Sequence, residues 1–68
     1  MNYERTKLEK LVALRKKAQD QLDKKKRILT TTRRGSEPYT RAAREAGALI
    51  AQIRELTEAI TQRVEQLR

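Results

Sequence analysis

The sequence contains no cysteine, no histidine, no phenylalanine and no tryptophan. Without cysteine the chain cannot form a disulfide, and without cysteine or histidine an ordinary zinc site has no ligands. The only two glycines, Gly35 and Gly47, are too far apart to form a phosphate-binding loop. Because paired carboxylates in a plausible pocket are also missing, we expect a protein that is not an enzyme and that binds no metal and no cofactor.

Long apolar runs are missing as well. The longest aliphatic runs, 11–14 and 48–51, cover four residues each, whereas a helix that spans a bilayer needs about 20 apolar residues. Residues 4–10 are dense in charge, which is unlike a signal peptide. The sequence therefore predicts a cytoplasmic protein without a membrane partner.

Positive charge is what the sequence has in excess, and it is unevenly distributed. The whole chain carries 17 Lys and Arg against 9 Asp and Glu, for a net charge of +8. Residues 1–34 contain twelve of these cations and four of the acids, whereas residues 35–68 contain five of each. This asymmetry favours an anionic partner for the first half and contact with protein for the second.

The strong helix breakers lie together in the middle of the chain, at residues 35–38. Gly35 suits the left-handed conformation that closes a helix, and Ser36 is a good N-cap for a helix with Glu37 and Pro38 in its first turn. The sequence predicts a single domain over residues 1–68. Its elements are helix 1 at about 3–32, a turn at 33–37 and helix 2 at about 38–67.

Both predicted helices carry a heptad pattern. In the first helix, the core positions a and d are Glu4, Leu8, Leu11, Arg15, Ala18, Leu22, Lys25 and Leu29. In the second they are Tyr39, Ala42, Ala46, Leu49, Ile53, Leu56, Ile60, Arg63 and Leu67. Residues whose numbers sum to 71, such as Leu22 and Leu49, face each other if the helices fold back. The predicted fold is therefore all-α, an antiparallel two-helix hairpin that resembles a coiled coil.

Such a hairpin has few large apolar side chains to bury, with only fourteen Leu, Ile and Val residues. Small domains of this kind usually need a further source of stability. We expect a homo-oligomer, and specifically a dimer that forms a four-helix bundle. The small residues Ala43, Gly47 and Ala51, together with Ile50, are the predicted interface. The alternative is that these alanines only reflect helix propensity.

A cluster of cations is predicted at the end of the hairpin that holds the turn. Its members are Lys24, Lys25, Lys26, Arg27, Arg33, Arg34, Arg41 and Arg44. Such a cluster favours contact with the phosphates of DNA or RNA. Tyr3 and Tyr39 are the only aromatic residues, so the pattern predicts recognition of backbone and shape rather than of bases. An acidic protein surface is the alternative partner, which would make the chain a protein-interaction module.

Further cations extend this cluster along the first helix. They are Lys10, Arg15, Lys16 and Lys17. Arg15 falls at a core position opposite Leu56, where its aliphatic stem could pack while its guanidinium reaches Glu55 or Glu58. The sequence thus predicts that Arg15 serves the fold rather than a ligand.

Overall fold

A computed structural model describes residues 5–67, which form two α-helices and a short linker. Helix α1 spans Leu8–Thr31 and helix α2 spans Glu37–Gln66. The two helices pack against each other as an antiparallel hairpin, a rod with extents of 48 × 17 × 14 Å. The prediction of an all-α two-helix hairpin is confirmed.

The linker, residues 32–36, reverses the chain in a tight turn. The N–H group of Ser36 donates to the carbonyl of Arg33 at 3.1 Å, and Gly35 has a φ of +86°. Gly35 is the third residue of this four-residue turn, where a type II turn requires positive φ. Its predicted left-handed conformation is confirmed. However, Gly35 lies inside the turn, and the residue that directly follows α1 is the extended Thr32.

Ser36 caps α2, as the sequence predicted. Its backbone is extended, and its Oγ accepts a hydrogen bond from the N–H group of Tyr39 at 3.4 Å. The same hydroxyl donates to the carbonyl of Arg33 at 2.6 Å, and Pro38 lies in the first turn of the helix. One serine therefore joins the turn to the start of α2.

The ends of the helices differ from the prediction by one to five residues. Helix α1 begins at Leu8, because residues 5–7 are polar and bring no apolar side chain to the contact with α2. Residues 3 and 4 of the predicted helix lie outside the described residues. At the other end, the hydroxyls of Thr30 and Thr31 donate to the carbonyl of Arg27 at 2.9 and 2.8 Å. Such side-chain bonds compete with helical hydrogen bonding, which suits the end of a helix.

The core is a single thin stripe between the helices. Its two large buried side chains are Leu11 and Leu56, joined by the small residues Ala18, Ala42 and Ala46. All described residues of the two predicted core sets are buried or half-buried, apart from Leu67, which is 72% exposed at the end of α2. Glu4, the remaining member of these sets, lies outside the described residues. The heptad prediction is therefore confirmed for all but one of the residues that can be assessed.

An ion pair between the helices agrees with the predicted register. Lys25 Nζ lies 2.5 Å from Glu45 Oε2, and the numbers of these residues sum to 70. In the predicted register Lys25 faces Ala46, the neighbour of Glu45. Alanines on one helix then lie opposite larger side chains on the other, as at Ala18 and Ile53, which lets the helices pack closely.

We expect Leu56→Ala to destabilise the hairpin severely. Leu56 is fully buried, and truncating a buried leucine costs about 2–5 kcal/mol of unfolding free energy, which is a large share of what a small domain possesses. Thermal unfolding followed by circular dichroism measures the effect. Leu67→Ala is the matched control, because Leu67 is mostly exposed. Similar melting temperatures for the two variants would contradict the packing described above.

Candidate nucleic-acid interface

The hairpin brings the predicted cations to one end of the rod. Lys24, Lys25, Lys26 and Arg27 lie in the last two turns of α1, Arg33 and Arg34 in the linker, and Arg41 and Arg44 in the first turns of α2. We call this set of eight residues the basic tip. All of them are exposed except Lys25, which is half-buried. The linker is what gathers them, because it places the end of α1 beside the start of α2.

Two of the eight cations have carboxylate partners. Lys25 pairs with Glu45 on the other helix, and Arg41 Nη2 lies 3.6 Å from Glu37 Oε1, one turn earlier on the exposed surface of α2. For the other six the structure shows no ion pair among residues 5–67. These six are Lys24, Lys26, Arg27, Arg33, Arg34 and Arg44. The basic tip therefore keeps most of its charge unneutralised.

The helix dipole does not account for these charges. Cations stabilise the C-terminal end of a helix only within its last turn. The last turn of α1 contains no basic residue, because Thr30 and Thr31 follow the run of cations and end the helix. Stabilisation of α1 through its helix dipole therefore does not explain why the basic tip contains these cations.

Lys25 differs in its surroundings from its neighbours Lys24 and Lys26. It occupies a core position, and its side chain is 30% exposed where it meets Glu45. The hydrogen bond from Lys25 and its positive charge hold the pKa of Glu45 below its ordinary value, with a smaller contribution from Arg41. Glu45 is therefore anionic at neutral pH and fixes Lys25 between the helices, which leaves Lys25 less available to a ligand.

The two long edges of the helix contact differ in chemistry. An open groove along one edge is lined by Gln21, Lys24 and Lys25 of α1 and by Glu45, Ala48 and Leu49 of α2. Lys10 and Lys17 precede Lys24 by two heptads and one heptad, so they share its row on α1. All three lysines are exposed. We call this edge, with its row Lys10, Lys17 and Lys24, the lysine side.

The other edge carries aliphatic side chains that the hairpin leaves uncovered. Val12, Ile50 and Val64 are 43%, 47% and 41% exposed. They occupy the heptad position e on their helices, and e positions meet along the same edge of an antiparallel pair. We call these three residues the aliphatic side. Helical periodicity puts Ala43 beside them.

The four residues predicted as an oligomer interface all lie on the surface of α2. Ala43, Gly47, Ile50 and Ala51 are exposed in the hairpin, and a Cβ atom built on Gly47 meets nothing within 4 Å. Packing within one hairpin therefore gives no reason for glycine at position 47. These residues remain available to a second chain.

The further cations of α1 are separated by the fold. Arg15 is half-buried at its core position, as the sequence predicted, but the described residues show no ion pair between it and Glu55 or Glu58. Lys16 lies on the outer surface of α1, in a row with Glu9 and Asp23. Only Lys10 and Lys17 extend the charge of the basic tip along one edge. The sequence contains a signal for this difference: Lys10, Lys17 and Lys24 are spaced seven residues apart, which puts them on one side of the helix, whereas Arg15 and Lys16 do not share that spacing.

No other kind of site is evident between residues 5 and 67. The structure shows no group of three or more acidic, histidine or cysteine side chains able to hold a metal ion in that range. Neither of the two described helices has an apolar stretch that could cross a membrane. Comparison with known proteins gives no match to a family model, to a curated protein or to a solved structure.

We expect Glu45→Gln to lower the melting temperature at neutral pH by removing the ion pair with Lys25. Because the pKa of Glu45 is lowered from 4.5 in the folded state, its contribution to stability is present above that value. It is lost as the pH falls through the lowered folded-state pKa. The difference in melting temperature between wild type and variant should therefore shrink as the pH falls below 4.5 and through the lowered pKa of Glu45.

Glu58→Gln is the control for this measurement, because it removes the same charge at an exposed position that forms no ion pair with any other described residue. Thermal melts of the wild type, Glu45→Gln and Glu58→Gln across this pH range measure the change in melting temperature that each substitution causes. Equal effects of the two substitutions at neutral pH would show that the Lys25–Glu45 pair contributes nothing specific.

Proposed function

We propose that this chain is a small, non-enzymatic nucleic-acid-binding protein that contacts phosphate backbones through its basic tip. The observation that supports this most is the gathering of six exposed cations at one end of the rod, none of which has a carboxylate partner among residues 5–67. Each phosphate that a Lys or Arg neutralises releases condensed counterions, which makes such a surface favourable for nucleic acid.

The residues of the basic tip suit phosphates better than bases. Arg33 and Arg34 lie on an exposed turn, and the other four unpaired cations come from the two flanking helix ends. Contacts between such side chains and phosphates position a protein on a nucleic acid but carry no sequence information. Tyr39 is the only aromatic residue of the described chain, and it is half-buried at a core position. A stacking platform for single strands is therefore absent from residues 5–67, which favours a duplex ligand.

We also infer that two hairpins pair through their aliphatic sides to form a four-helix bundle. The chain exposes 5763 Å² of surface, whereas a compact monomer of 8.0 kDa exposes about 4,500 Å². The excess is of the order that each partner buries in an ordinary protein interface, about 800 Å². Val12, Ile50 and Val64 supply the apolar part of such an interface. The exposed Gly47 and its neighbouring alanines would let a second helix approach closely.

Removing two charges from the turn should weaken binding to both DNA and RNA. For Arg33→Gln/Arg34→Gln, we expect the slope of log affinity against log salt concentration to fall by about 2, since each lost phosphate contact removes about 0.9. Fluorescence anisotropy with labelled duplexes of about 16 base pairs measures this slope.

The control for this variant is Lys16→Gln/Arg54→Gln, which lowers the net charge by the same amount at exposed positions outside the basic tip. An equal change of slope in both variants would show that only total charge matters. A wild-type protein that binds neither duplex at low salt would contradict the proposal. It would instead favour an acidic protein surface as the partner.

Replacing one isoleucine should test the dimer. Ile50→Gln should shift the protein towards a monomer, because it puts an amide into the middle of the proposed apolar interface. Ile28→Gln is the matched control, since Ile28 is 36% exposed but lines a groove on the lysine side together with Lys25 and Arg41. Sedimentation equilibrium gives the mass of each protein. A wild-type monomer, or equal effects of both substitutions, would contradict the dimer.

A further inference from the structure

The lysine side carries a regular row of charge that continues from the basic tip. Lys10, Lys17 and Lys24 repeat every seven residues on α1, so successive members are about 10.5 Å apart along the helix. All three are exposed, and the structure shows no ion pair for any of them among the described residues. Lys24 belongs to the basic tip as well, so the row and the tip form one continuous surface.

No acidic residue of the described chain forms an ion pair with this row. Glu45, on the same edge, is held by Lys25. Asp20 lies three residues after Lys17 and four before Lys24 on α1, and Glu55 lies on α2, but neither is paired with a lysine of the row. Elsewhere on α1, the row of Glu9, Lys16 and Asp23 alternates in sign. The unbroken positive row is therefore a property of one edge and not of the whole helix.

We propose that a nucleic-acid duplex lies along the lysine side, so that its phosphates contact Lys10 and Lys17 in addition to the basic tip. This inference rests on the proposed function and concerns the extent and direction of the same site. The distance from Lys10 to Arg27 along α1 is about 26 Å, which corresponds to about 8 base pairs at 3.4 Å each. The end of the rod alone is 17 Å across, which corresponds to about 5 base pairs.

A duplex fits this edge better than a flexible single strand does. The row is held straight by a continuous helix of 24 residues, and its even spacing suits a ligand whose charge is also spaced evenly along a stiff axis. Among residues 5–67 the edge offers lysines and no exposed aromatic side chain. Lysine contacts phosphate as a point charge without selecting a base, so duplexes of any sequence should bind.

The test compares two double variants that both lower the net charge from +8 to +6. Lys10→Gln/Lys17→Gln removes the two charges of the row that do not belong to the basic tip. Lys16→Gln/Arg54→Gln removes two charges from other parts of the surface. We expect the first variant to lower the salt slope by about 2 and to weaken binding roughly tenfold at moderate salt. The second should lower the slope by much less. Circular dichroism of both variants is the check that they remain folded.

The length of the duplex provides an independent measurement. For the wild type, affinity should rise steeply until the duplex reaches about 8 base pairs, and for Lys10→Gln/Lys17→Gln it should level off near 5. Equal slopes and equal length dependence for the two double variants would overturn the proposal and confine binding to the tip. If Arg33→Gln/Arg34→Gln also leaves binding unchanged, the proposed function itself fails. A single strand of equal length that binds as tightly as the duplex would also overturn the inference.

Discussion

The apolar contact between α1 and α2 is the interaction on which the rest of this structure depends. It is a narrow stripe in which Leu11 and Leu56 are the only large side chains of the described residues with almost no exposure. Neither helix has an apolar face of its own that would be stable in water, since helices in proteins gain most of their stability from tertiary packing. The basic tip exists only while this contact holds, because two of its cations lie on α2 and four lie on α1.

The same narrow contact leaves both edges of the rod free, and they differ in character. One edge keeps Val12, Ile50 and Val64 partly exposed, and the other keeps the row of Lys10, Lys17 and Lys24. An apolar edge favours burial against protein, whereas an unpaired row of cations favours an extended polyanion. Pairing of two hairpins through the aliphatic side would leave the lysine side open to nucleic acid, so the two proposals are compatible.

Much of the fold could be predicted because its determinants are local. Heptad spacing identifies the core residues, and Gly35 and Ser36 identify the reversal of the chain, since their conformations depend on their own backbone and hydroxyl groups. The start of α1 could not be predicted to within a few residues, because no capping side chain marks it. The partner of Lys25 also escaped the sequence. The heptad pattern puts Lys25 at a core position, but it gives no sign that the side chain meets Glu45 on the other helix, twenty residues away.

By itself, the sequence determined that the chain forms two amphipathic helices around a central turn and that its excess charge lies in the first half. Periodicity and composition are enough for that. The tertiary structure alone decided which of these cations meet a carboxylate and which stay exposed without one among residues 5–67, because that depends on the side chains that the two helices bring together. It paired Lys25 with Glu45 between the helices and left Lys24 and Lys26, the neighbours of Lys25 in the sequence, exposed.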